Sequence, residues 1–349
     1  MSEQAVPPAI EGFEVNDDWR SWLAQNLSLQ ADRATLEQEL VSRGLSPARA
    51  AAEVDQVLTS PYFIGAQRSL QQAQNRIRKY DWVLDIYRRL ERMTPECQRI
   101  PRRSKLSGAD FYREFYQQNR PVLITDMVDD WPAMHQWNHQ YLKEHFGAAQ
   151  VEVQASRSAD PDYEINSVQH RHSMRFADFL DRIDAAGETN DVYMTANNGS
   201  VNRSALAGLW ADIGRLPEYM DPESASDGFL WIGPQGTRTP FHHDLTNNFM
   251  VQVVGRKRIL LVPAHDFPAM YNHFHCYSAV DGGALDVERF PLLRNANILE
   301  CELGPGEILF LPVGWWHYVL SLTPSITVSM TNFQADNDFY SNYSTYQDL

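Results

Sequence analysis

The spacing of apolar residues changes character about a third of the way along the chain. Before that point the period is helical. Trp19, Trp22, Leu23 and Leu27 recur at three- and four-residue intervals and predict a helix opening at Asp17 or Asp18. A second helix is expected from Ala31 to Arg43, stopping at Gly44. Ser46-Pro47 supplies a cap and a first-turn proline for a third, with Ala50, Val54, Val57 and Leu58 inward, and Ser60-Pro61 ends it. A long helix from about Tyr62 to Met93 follows, carrying Leu70, Ile77, Trp82, Leu84, Ile86, Tyr87 and Leu90. Residues 1 to about 16 read as a loosely held arm, and Pro95 to Lys105 as a linker. Residues 1–100 are therefore expected to form an N-terminal helical region with its linker.

After a helix carrying Phe111, Phe115 and Tyr116, the period shortens to that of strands. Strands are predicted at Arg120–Thr125, Val151–Val153, Asp191–Thr195, Phe229–Gly233, Arg258–Val262, Glu300–Leu303, Glu307–Pro312 and Ser325–Phe333, with one amphipathic helix at Met174–Ile183. Gly255, Gly314 and Gly304-Pro305-Gly306 mark tight turns. Many short strands separated by turn residues predict a mainly β domain over residues 101–349. Residues 264 to about 295 interrupt it with Phe267, Met270, Tyr271, Phe274 and Tyr277 and few strand signals. Trp231, Trp315 and Trp316 are assigned to packing, and the tail through Tyr340, Tyr343 and Tyr346 has no legible role.

Composition narrows the class. With 349 residues, 43% of them hydrophobic, the chain can bury one large domain and a smaller one. A net charge of −15 argues against nucleic acid as a partner, because neutralising phosphates takes clustered Lys and Arg. Cys97, Cys276 and Cys301 are odd in number and widely spaced, which suggests reduced thiols and a cytoplasmic location. No stretch is apolar enough to span a bilayer, so no membrane association is expected. Residues 68–105 are locally basic, with 11 Lys or Arg against 4 Asp or Glu. That run is either a solvated face or a docking site for an acidic peptide or partner subunit.

The candidate chemistry lies between Thr239 and Lys257 and at Gly314 to His317. His242 and Asp244 stand two residues apart, which places both on one face of a strand and turns His243 away. His317 lies 75 residues further on, far enough to return on another strand. Two histidines and a carboxylate on one face of an octahedron leave positions open, as in non-haem Fe(II) oxygenases. Alone, H-x-D fits a packed histidine pair or a zinc site equally well. No cysteine is placed to make the site soft, and His265, His273 and His275 show no zinc spacing, so they read as surface or packing residues.

The surroundings extend the motif. Thr239, His242, Asp244, Asn248, Gln252, Gly255 and Lys257 give T-x-x-H-x-D-x-x-x-N-x-x-x-Q-x-x-G-x-K, and Leu311 to His317 gives L-P-x-x-W-W-H with Asn332 on the strand that follows. Over roughly residues 105–335 this resembles the Jumonji-C (cupin-like) Fe(II)/2-oxoglutarate oxygenases, most of all the asparaginyl hydroxylases that act on hypoxia-inducible factor. The resemblance implies a double-stranded β-helix, or jelly-roll, with flanking helices. It implies Fe(II) on His242, Asp244 and His317, with 2-oxoglutarate as co-substrate. Lys257 is then the cation for the distal carboxylate, since a buried charge is tolerated only when paired. Thr239 and Tyr193 fall on hydroxyl donors, and Asn248 and Asn332 on amides near the co-substrate. The implied reaction is hydroxylation coupled to oxidative decarboxylation of 2-oxoglutarate, on a side chain of a peptide or protein. A free amino acid or small molecule as substrate, and a non-catalytic cupin binding module, are the alternatives. Any homodimer is expected to use the N-terminal helices.

Overall fold

The computed structural model describes residues 13–224 and 228–345; most of the predicted N-terminal arm, and Tyr346, lie outside them. The chain divides into two compact units, Met1–Val83 and Leu84–Leu349. The first contains helices α1 (Asp17–Ser28), α2 (Arg33–Ser42), α3 (Pro47–Thr59) and most of α4 (Pro61–Arg92). Asn16, Asp32 and Ser46 cap the first three by accepting a backbone N–H three residues on, which satisfies donors the helix cannot. Trp19, Leu23, Leu36, Leu40, Ala50, Val54 and Val57 close a small core among them. The unit boundary falls inside α4 and not in the predicted linker near residue 100. The last turns of α4 bond within the second unit: Arg88 to Asp266, Glu91 to His265 and Arg92 to the Asn295 carbonyl.

In the second unit two six-stranded sheets carry the jelly-roll. One runs β1 (Arg102–Ser104), β2 (Val122–Thr125), β13 (Ile308–Leu311), β8 (Asn248–Val254), β15 (Ser325–Met330), β6 (Phe229–Gly233). The other runs β10 (Asn272–Phe274), β11 (Tyr277–Ser278), β7 (Arg238–His243), β14 (Trp316–Ser321), β9 (Lys257–Val262), β12 (Leu299–Leu303). Strand parity sorts the side chains between faces. Phe249, Val251, Phe310, Ile326 and Val328 point outward from the first sheet into a core shared with Phe111, Phe176 and Phe179. Phe241, Leu260, Trp316 and Tyr318 cover the outer face of the second sheet, against Met270 and Phe290. Met250, Ile259, Leu261, Leu309, Leu311 and Val319 come from both sheets and pack one end of the interior. The remaining inward positions are polar, and the site is built from them.

Three segments depart from expectation. The linker contains β1, which pairs parallel to β2. The predicted helix at Met174–Ile183 begins at Phe176, after strand β4 (Arg171–Arg175), which pairs with β3 (Gln150–Ala155) and whose side chains are polar but for Met174. The aromatic insertion supplies β10 and β11, and Tyr277 of β11 pairs with His242.

Candidate metal centre

A bulge sets the register of the site. Along β7 and β14, His242 faces His317 and His243 faces Trp316, but Thr239 faces Val319, so one extra residue of β7 is accommodated around Pro240 and Phe241. Proline brings no N–H to the ladder and suits this position. The bulge lets Thr239 and His242, three residues apart, share the interior while Phe241 packs outside. Asp244 follows the end of β7, and its carbonyl accepts the Gly314 N–H at 3.1 Å, tying the two motifs together. Gly314 is in the left-handed region at φ 77°, as the tight turn requires.

The three ligand atoms lie within 4.8 Å of one another, and no other such group occurs among the described residues. Nε2 of His242 stands 3.7 Å from one Asp244 oxygen, and Nε2 of His317 stands 4.0 Å from the other. Each imidazole donates Nδ1–H to the carbonyl two residues before it, His242 to Pro240 at 2.9 Å and His317 to Trp315 at 3.1 Å. That fixes the tautomer with the Nε2 lone pair toward the centre. Burial, and then the neighbouring His317, press the His242 pKa down to about 4, so the ring is neutral and able to ligate at physiological pH. Burial alone would raise Asp244, but His317, His242 and the Asn248 amide outweigh it and hold the carboxyl below its ordinary range. His243 turns outward as expected, with its ring edge-on to Trp316 at 4.8 Å.

These ligands open into a cavity of about 280 Å3 that also takes in Tyr193, Thr239, Asn248 and Lys257. Lys257 is 1% exposed, and its Nζ donates to the Tyr193 hydroxyl at 3.1 Å. Burial pushes its pKa down from 10.5 to about 7, because no carboxylate offsets the lost hydration. Tyr193 in turn bonds Thr239. Asn248 donates to Asp244 at 3.3 Å, and its buried Oδ1 has no partner. An under-compensated cation, an orphaned amide oxygen and two aimed imidazoles together fit an anionic co-substrate beside a divalent metal.

Asn332 stands apart from this group: it borders a separate cavity of about 170 Å3 with Trp210 and Met220. Along β15, Ile326, Val328 and Met330 point outward, so Ser329 and Thr331 reach the metal cavity instead. Trp231 is a wall of the site as well as a packing residue, with its Nε1 donating to Ser329 at 2.9 Å. Trp315 and Trp316 are buried in packing, as assigned. Neither Glu164 nor Tyr277 was assigned to the site from the sequence. Both border the metal cavity and a second cavity of about 590 Å3. Arg157, itself buried, holds Glu164 through a 2.6 Å bond and lies over the Tyr163 ring.

Residues 108–339 match the family model described as a cupin-like domain. Among curated proteins, the chain is 33% identical to lysine-specific demethylase JMJ30 of Arabidopsis thaliana over 67% of its own length and 54% of that protein's. It is 32% identical to Jumonji C domain-containing protein 5 of Drosophila melanogaster, over 69% and 61%. It is 26% identical to tRNA wybutosine-synthesizing protein 5 of Gallus gallus, over 66% and 76%. The chain thus spans little more than half the length of the first of these relatives. The family match and the placement of the His-Asp-His group agree: this chain belongs to the cupin-like domain family, among its Jumonji-C relatives.

Proposed function

We propose that the chain is an Fe(II)- and 2-oxoglutarate-dependent oxygenase that hydroxylates a side chain of a peptide or protein in the cytoplasm. The observation that carries this reading is Lys257, a buried cation without a carboxylate partner in the same cavity as His242, Asp244 and His317. Those three residues would hold Fe(II), and Lys257 with Tyr193 and Thr239 would receive the distal carboxylate of 2-oxoglutarate. When bound, the metal would activate O2 and 2-oxoglutarate would supply two electrons by oxidative decarboxylation, so that one oxygen atom ends in succinate and the other is inserted into a substrate C–H bond.

The chain's own contribution is placement and dryness. The two Nδ1 bonds hold the imidazoles in one orientation, and the amide of Asn248 orients Asp244. Met250, Leu311, Val319 and Trp231 form apolar walls that keep water from the reacting centre. Glu164 and Tyr277 line both cavities, and a substrate side chain entering from the larger one would pass them on its way to the metal. An outer cavity of about 590 Å3 gives room for the residues flanking that side chain, which favours a polypeptide over a free amino acid. The relatives named as lysine-specific demethylases point the same way, and the charge of −15 weighs against RNA. What supports hydroxylation as the outcome is the resemblance of the T-x-x-H-x-D motif and its surroundings to the asparaginyl hydroxylases.

The test is succinate release and the gain of one oxygen in a peptide panel, with Fe(II) and 2-oxoglutarate supplied. A protein that binds metal but neither binds nor turns over 2-oxoglutarate would be a cupin binding module instead.

A further inference from the structure

Helix α4 is 32 residues long, and not one of its side chains is buried. One set of its apolar residues nevertheless follows a rule, with Trp82, Ile86 and Leu90 lying off it. Phe63, Ala66, Leu70, Ala73, Ile77 and Tyr80 alternate spacings of three and four, and the same spacing continues through Leu84 and Tyr87. This is a heptad seam sustained for about 36 Å at the helical rise. Phe63 packs against the core of its own bundle. Beyond it the seam is exposed at Leu70 37%, Ile77 57%, Tyr80 65% and Tyr87 59%, with Leu84 half-buried between the last two. A contiguous apolar stripe of this length marks an interaction surface.

We propose that α4 pairs with α4 of a second copy of this chain, antiparallel, with Ile77 of each opposite Tyr80 of the other about the two-fold axis. The sequence of the seam selects this occupant. In that alignment Ala73 meets Leu84 and Leu70 meets Tyr87, so small faces large at each layer. A parallel pair would set Ala73 on Ala73 and Tyr80 on Tyr80, leaving one gap and one clash. It would gain Arg76–Asp81 ion pairs across the interface, but exposed pairs contribute little. The flanks agree with the antiparallel choice: Gln74 lies beside Asp81 and Arg76 beside Val83, so no like charges meet although the helix is rich in arginine. A seam of this length buries on the order of 800 Å2 per partner, the scale of a standard interface.

The experiment is sedimentation of the full chain at low to high micromolar concentration. The expected species has twice the chain mass of 40.1 kDa. The double substitution Ile77→Glu with Tyr80→Glu, at two exposed positions, should leave helicity unchanged by circular dichroism and weaken association at least a hundredfold. Trp82→Glu, on the opposite face of the helix, should leave the dimer intact. A 40.1 kDa species throughout the range overturns the proposal, as does a dimer that survives the double substitution or one lost equally with Trp82→Glu. Alignment is read from cysteines: Ala73→Cys with Leu84→Cys should cross-link two chains, whereas cross-linking by Ala73→Cys alone would mean parallel pairing and refute the arrangement.

Discussion

Replacing Lys257 with Met tests the co-substrate site directly, because Met keeps most of the apolar stem and deletes only the charge. The pKa of Lys257 is lowered from 10.5 to about 7 by burial alone. At about 1.4 kcal/mol per unit, holding the cation there without an anion costs roughly 5 kcal/mol. A carboxylate bound opposite would recover much of that. The usual cost of removing one partner of a buried ion pair, about 3 to 5 kcal/mol, agrees with it. Affinity for 2-oxoglutarate should therefore fall by about two to three and a half decades. Metal binding should survive, because Lys257 is not among the three residues proposed to hold the metal. The assay is anaerobic titration of 2-oxoglutarate into the Fe(II)-loaded variant, followed by the metal-to-ligand charge-transfer band. An unchanged dissociation constant would remove Lys257 from the site and, with it, most of the argument for 2-oxoglutarate.

The same lysine predicts a pH dependence. Free Lys257 loses its proton near pH 7, whereas the anion-bound form keeps it, so binding takes up a proton and affinity should fall up to about tenfold per pH unit above 7; a flat profile from mildly acid to alkaline pH by calorimetry would count against this. His242→Ala, Asp244→Ala and His317→Ala should each abolish turnover in a folded protein, while His243→Ala keeps most metal binding; the reverse result in metal analysis would mean that the strand register is wrong. Glu164→Ala leaves Arg157 buried without its carboxylate, at a cost of about 3 kcal/mol or more, and thermal unfolding should shift down by several degrees. Gly255→Ala should also destabilise, since Gly255 sits at φ 76° and a Cβ there would lie 2.1 Å from the Pro324 carbonyl oxygen; an unchanged melting temperature would contradict that.

The His242-x-Asp244 pair was legible because its spacing obeys strand period, and Gly255 and Gly314 because glycine is the residue that adopts a left-handed turn without steric cost. Thr239 was placed through resemblance, since its spacing of three from His242 contradicts a regular strand; the bulge at Pro240 and Phe241 resolves this. Asn332 shows the converse error. Resemblance carried it into the site, while the outward set Ile326, Val328 and Met330 already implied Thr327, Ser329 and Thr331 as the inward residues. Trp231 was open to the same reasoning, since Leu230 and Ile232 are its outward neighbours. Glu164 and Tyr277 had no local signal, because their role depends on tertiary contacts with Arg157 and His242. Strand β4 was invisible for a different reason: apart from Met174, its five side chains are polar.

His242 and His317 are direct partners across two hydrogen-bonded strands, yet 75 residues of chain separate them. An ion gripped by both is a clasp on a long loop that contains β8 to β13. Closing such a loop costs entropy in the unfolded chain, and an ion that recognises only the closed form stabilises it by mass action. The metal would then be a structural as well as a chemical participant. Stripping it with a chelator should speed amide hydrogen exchange along Arg238–His243 and Trp316–Ser321 while leaving the core around Phe111 and Phe249 protected.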